Sequence, residues 1–217
     1  YVEAGQGRFG VSHLILINGL NFLYELVGAT QTYLELVDRP ELVQTALDFG
    51  FEVNLAVQQA FFEHVPLVGG GTCSMQCQWM PGRILCESVD PFHMTSADYF
   101  ERWGLGTLER VFGFFDGGMI HLHGNGRHLL EAACQVRGLR LITLGDDQGF
   151  PPAFDVLPEL RRRAGNMPLS LCAPYPQFVE ALAKKQLVGG AFYAVTNVPD
   201  ADAANRTMDL VRAYRAD

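Results

Sequence analysis

The sequence predicts an α/β protein of parallel strand–helix–strand units, a (β/α)8 TIM-type barrel of which about six of the eight units are present. Three observations carry this. Short apolar runs that end in Asn-Gly, Asp or Gly alternate with longer segments of helical spacing. No Gly-x-Gly-x-x-Gly follows the first run, because Gly5, Gly7 and Gly10 precede it. That is the wrong order for a doubly wound nucleotide-binding sheet. Polar, chemistry-bearing residues recur at the carboxyl ends of successive runs, where a barrel carries its site.

The first strand reads as residues 11–17, ended by Asn18-Gly19. A helical stretch from about 21 to 64 is interrupted at Asp38-Arg39-Pro40-Glu41, with Pro40 at a favoured first-turn position. After the loop Gly69-Gly70-Gly71, residues 73–82 read as irregular. The strand 83–88 ends near Asp90-Pro91, and Thr95-Ser96-Ala97-Asp98 supplies a cap and an acidic first turn for a helix reaching about Phe115. Strand 119–123, helix 129–137 and strand 139–144 follow, the last ending in Gly145-Asp146-Asp147. Helix 154–164, strand 168–172, helix 176–186, strand 190–195 and helix 202–215 complete the pattern.

A chain of 217 residues with 48% hydrophobic content buries one large core, so residues 1–217 are expected to form one domain. The formal net charge is −8 and the basic residues are scattered. The run Arg161-Arg162-Arg163 falls on a predicted helix as a solvated face, so nucleic acid is not an expected partner. No apolar stretch is long enough to span a bilayer, and no signal-like segment opens the chain. Five cysteines without regular spacing read as reduced thiols, which implies a cytoplasmic location. Cys73-x-x-x-Cys77 has no second ligand pair to complete a zinc ribbon. A full barrel takes about 250 residues. Two further units are therefore expected ahead of Tyr1, where the chain begins without a methionine.

His121-Leu122-His123 is the strongest candidate for chemistry. Residues two apart on a strand share a face, so both imidazoles leave a strand end together. Such a pair can bind a metal or move protons, and it equally fits one core and one solvated histidine. The neighbouring strand ends offer Glu87 and Asp90, then Asp146 and Asp147, then Tyr193 and Asn197. His93 can reach substrate from a loop. Two imidazoles with a carboxylate such as Asp90 suit zinc with one open position, and the same groups suit metal-free acid–base chemistry. The local alternatives are a turn for Asp90-Pro91, a helix cap for Asp146-Asp147 and a core position for Tyr193.

The chain resembles the uroporphyrinogen decarboxylase superfamily, which includes the haem-pathway decarboxylase and zinc-dependent, corrinoid-linked methyltransferases. The resemblance runs through Leu36-Val37-Asp38-Arg39-Pro40-Glu41-Leu42-Val43, Trp79-Met80-Pro81-Gly82, Asp90 followed by Ser96, His121-Leu122-His123-Gly124, and Ala204-Asn205-Arg206-Thr207-Met208. It implies a β/α barrel and a small-molecule substrate. For the methyltransferase branch, favoured here, it implies His121 and His123 as metal ligands with Asp90 as the third. It also implies a corrinoid on a partner protein and a homodimer. That branch carries His-x-Cys where this chain has His121-x-His123, and a late cysteine where this chain has Tyr193-Ala194-Val195-Thr196-Asn197. For the decarboxylase branch, which lacks its late Gly-His-Gly here, the resemblance implies that Asp90 stabilises a protonated pyrrole while His121 moves protons. Together these imply catalytic roles for Asp90, His121, His123 and Tyr193, and substrate contacts from Glu87, His93, Asp146 and Asn197. A non-catalytic binding or assembly barrel is the alternative of another class.

Overall fold

A computed structural model describes residues 1–12, 18–76 and 78–215. The strand expected over 11–17 therefore lies largely outside the described residues, as does Cys77. Helices α1 (Val2–Gly5), α2 (Leu20–Val27), α3 (Ala29–Asp38) and α4 (Pro40–His64) come first. The break before Pro40 is where the sequence puts it. A second break falls at Gly28, whose φ of +83° ends α2 and starts α3, a conformation open to glycine without strain.

Strands β1 (Gly71–Cys73) and β2 (Trp79–Pro81) form an antiparallel hairpin where an irregular segment was expected. Each has three residues, too few for alternation to show in sequence. Then come β3 (Leu85–Ser88), a 3-10 turn (Asp90–Met94) and one continuous helical run. That run is α5 (Ala97–Phe100), a π-helical turn (Glu101–Leu105) and α6 (Gly106–Phe112). The rest is β4 (Gly118–Leu122), a 3-10 segment (Gly124–Leu129), α7 (Leu130–Ala133), β5 (Leu139–Leu144), α8 (Leu157–Ala164), β6 (Leu169–Pro174), α9 (Tyr175–Ala183), β7 (Ala191–Thr196) and α10 (Ala201–Ala213). Of the helix expected over 129–137, only Leu130–Ala133 is α-helical: Leu129 closes the preceding 3-10 segment and residues 134–137 are not helical. Among the described residues no helix is long and apolar enough to cross a membrane.

Strands β3 to β7 form one parallel sheet in sequence order, each joined to the next through helix. Register divides the side chains between two faces. Leu85, Ile120, Leu122, Ile142, Leu144, Leu169 and Leu171 face the helices and form the main core with Leu47, Phe51, Phe100 and Phe112. On the other face Cys86, Met119 and Leu141 pack under Met80 of the hairpin. Gln78 Nε2 donates to Ser170 Oγ at 2.9 Å and Ser74 Oγ donates to Gln78 Oε1 at 2.6 Å, tying the hairpin across that face. Beyond Met119 the same face carries Ser88, His121, Thr143 and Ser170, side by side in register.

Candidate metal centre

β4 delivers both imidazoles. His121 lies near its end, and His123 follows it in extended backbone (φ −70°, ψ 168°), so the alternation carries on for one more residue. The two rings lie 5.1 Å apart, edge to face. The turn after them must be glycine-rich for a steric reason. A Cβ on Gly126 would sit 2.2 Å from Cδ2 of His93, and one on Gly124 would sit 2.7 Å from Cβ of Phe150.

Asp90 reaches the pair from the end of β3. Its backbone N–H donates to Ser88 Oγ at 3.3 Å, and Pro91 fixes the first turn after it. Two helices hold this corner: Asn21 Nδ2 donates to Ser88 O at 2.6 Å, and Tyr33 Oη donates to Pro91 O at 2.8 Å. Asp90 Oδ1 then lies 2.9 Å from His121 Nε2 and 3.8 Å from His123 Nε2. One ligand atom from each of the three side chains falls within 4.8 Å of the others. Partial burial by itself pushes the Asp90 carboxyl up. The hydrogen bond and charge of His121, with the charges of His93 and His123, outweigh it and hold the group below the usual carboxylate range.

Asp147 orients His123 from behind. Its Oδ1 lies 2.9 Å from His123 Nδ1, and its Oδ2 accepts from Gly124 N–H at 2.5 Å. These contacts outweigh desolvation and lower the Asp147 pKa. The loop bearing Asp147 is closed around a buried arginine. Arg127 Nη1 donates to Pro151 O at 2.5 Å and Nη2 to Gly145 O at 3.0 Å, while Asp146 Oδ1 accepts from Ala153 N–H at 2.6 Å. His93 packs edge-on against His123, with ring centroids 5.5 Å apart and Nδ1 3.8 Å from Asp90 Oδ1. Burial pulls the His93 pKa down to about 4 against the charge of Asp90, so its ring is neutral at pH 7.

The structure brings together Asp90, His121 and His123, with His93 beside them. It does not bring the other expected site residues to them. Glu87 has the parity of Ile120, so its carboxyl lies on the helix face at 1% exposure, and Ser88 takes the place beside His121. Burial pushes the Glu87 pKa up to about 8, with the neighbouring Asn18 and Asn54 amides acting in the opposite direction. Tyr193 also faces the helices, between Phe154 and Phe178. Its hydroxyl donates to Val188 O at 2.8 Å and accepts from Val188 N–H at 2.9 Å. Asp146 is spent on the Arg127 loop, and Asn197 is an exposed residue at φ +58° after β7. The carboxylate that touches the site from β5 is Asp147, one residue further on than the expected contact.

Two imidazole nitrogens and one carboxylate oxygen, with a second carboxylate on the far nitrogen of one ring, fit a zinc-type cation. Three protein ligands leave a position open to substrate. No family model, curated protein or solved structure matches this chain.

Proposed function

We propose that this chain is a metal-dependent methyltransferase built on a β/α barrel, with zinc held by Asp90, His121 and His123. The observation that carries the proposal is the convergence of Asp90 Oδ1 with both imidazoles, together with the Asp147 contact that fixes the His123 tautomer. The barrel rests on five parallel strands in unbroken sequence order, where a doubly wound sheet has a reversal. Zinc lowers the pKa of a thiol enough to make it a nucleophile at neutral pH. The chain itself supplies the rest. Asp90, held ionised, brings one negative charge to the ligand set, and His93 seals the site from behind as a neutral ring. The sheet face beside the triad, with Thr143 and the exposed Cys172, receives a small acceptor. The methyl donor is a corrinoid carried by a partner, and zinc content is the first test. The purified protein is expected to hold about one zinc per chain and H121A none. It is then expected to transfer the methyl of methylcobalamin to a small thiol. Wild-type protein without bound transition metal overturns the proposal.

The 2.9 Å contact between Asp90 and His121 also favours a second reading, metal-free decarboxylation of a porphyrinogen-like polycarboxylate. Asp90 would stabilise the positive charge of a protonated pyrrole while His121 moves the proton. Full carboxy-lyase activity after exhaustive chelation selects this reading over the first.

A further inference from the structure

We infer that Thr143 is a positioning residue for His121, accepting the proton-bearing Nδ1 of that ring when Nε2 is engaged by metal. The inference rests on the metal reading above and extends it to the second imidazole. A histidine that ligates through Nε2 carries its proton on Nδ1, and that N–H is almost always given to an acceptor. His123 meets the rule through Asp147. His121 does not: its Nδ1 is buried and has no hydrogen-bond partner among the described residues. A buried donor left unmade costs about 1–3 kcal/mol.

Two hydroxyls flank His121 in register on the same face of the sheet, Ser88 on β3 and Thr143 on β5. Ser88 Oγ is already in use, donating to Asn21 Oδ1 at 3.4 Å and accepting from Asp90 N–H at 3.3 Å. Thr143 Oγ1 is buried and equally without a partner among the described residues. The next strand over adds no competitor, because Ser170 Oγ takes the Gln78 amide. Two orphaned, complementary groups thus stand on adjacent strands at one level of the sheet. A threonine here, rather than the valine that β-propensity alone favours equally, has a use only if its hydroxyl is engaged.

The experiment measures zinc affinity by competition with a chromophoric chelator at pH 7 for wild type, T143S and T143V. T143V is expected to bind about 10- to 100-fold more weakly, the usual effect of removing such a partner, and T143S to be restored close to wild type. Nitrogen-15 spectra of the zinc-loaded wild type give a second readout, independent of whether T143V folds. They are expected to show His121 protonated at Nδ1, with slow exchange and a cross-peak to the Thr143 methyl. T143V binding as tightly as wild type overturns the inference and leaves the metal centre standing, whereas His121 protonated at Nε2 in the zinc-loaded protein overturns both, because a protonated Nε2 has no lone pair for the metal. Wild type that binds no zinc overturns the metal centre and this inference with it.

Discussion

The two faces of the central sheet obey different rules although the same strands supply both. On the helix face, Leu85, Ile120, Leu122, Ile142 and Leu144 interlock with α4, α6 and α8, and polar groups there are trapped. Glu87 is the clearest case, its carboxyl sealed and its pKa raised to about 8. On the opposite face, one residue further along β3 and at the end of β4, the polar side chains reach the rim and converge. The difference is parity. Glu87 and Ser88 are neighbours in sequence, yet only the second shares a face with His121. Position at a strand end selects the level of the site, and odd or even position along the strand selects whether a group can take part.

The largest expected effect comes from breaking the rim face itself. H121A and D90N each remove a donor from a three-ligand set, and neither should retain stoichiometric zinc after dialysis. Both side chains are at least partly accessible, so their circular dichroism should remain that of wild type. If either variant keeps a full equivalent of zinc, the triad is not the binding site. D147N comes next. It keeps the shape of the group on His123 Nδ1 but removes its charge, and zinc affinity is expected to fall about 10- to 100-fold. Unchanged affinity would show that the Asp147 contact only closes the loop.

Much of this arrangement was legible in the sequence, and what was not has a physical cause. The strands β3 to β7 and the helices α8, α9 and α10 follow from apolar runs and helical spacing that a few residues of fraying do not hide. His121, His123 and Asp90 were legible because a strand end and an x-Pro corner set their positions. Glu87 and Tyr193 pointed the wrong way because composition marks where a strand stops and not how its alternation is phased. Asp146 and Asp147 both end the same strand, and the sequence pattern alone does not say which of them reaches the site. The choice between them depends on Arg127, whose side chain reaches Asp146 from another segment, and no local pattern records that. Arg127 and Thr143 carried no motif at all, and only register and the absence of partners pick Thr143 out.

The helix face gives the next prediction, one of stability and not of binding. The Glu87 carboxyl titrates near 8 when folded and near 4.5 when unfolded. Between those values the unfolded chain releases a proton that the native chain keeps, so stability falls as pH rises. The contribution is fully present below pH 4.5 and amounts to a loss on the order of 3 kcal/mol by pH 7. E87Q removes that slope. Urea midpoints measured from pH 5 to 8 should show wild type losing ground steadily to E87Q, with zinc affinity the same in both. A constant difference across that range would mean that Glu87 is already ionised in the folded protein.

The smallest effect is expected from Y193F, and it separates the two faces at the far side of the sheet. The Tyr193 hydroxyl closes a ring on one residue, bonded both to the carbonyl and to the amide of Val188. Removing it costs those two bonds while the ring keeps its place between Phe154 and Phe178, a loss of about 1 kcal/mol. Burial, with the Tyr214 phenol adding to it, holds the phenol's pKa up near 12 against the opposing hydrogen bond from Val188, so it has no proton to give at neutral pH. Zinc affinity and methyl transfer should therefore match wild type while the urea midpoint drops slightly. A tenfold fall in either, with the fold intact, would place Tyr193 in the site and break the rule that parity along a strand decides which groups can reach it.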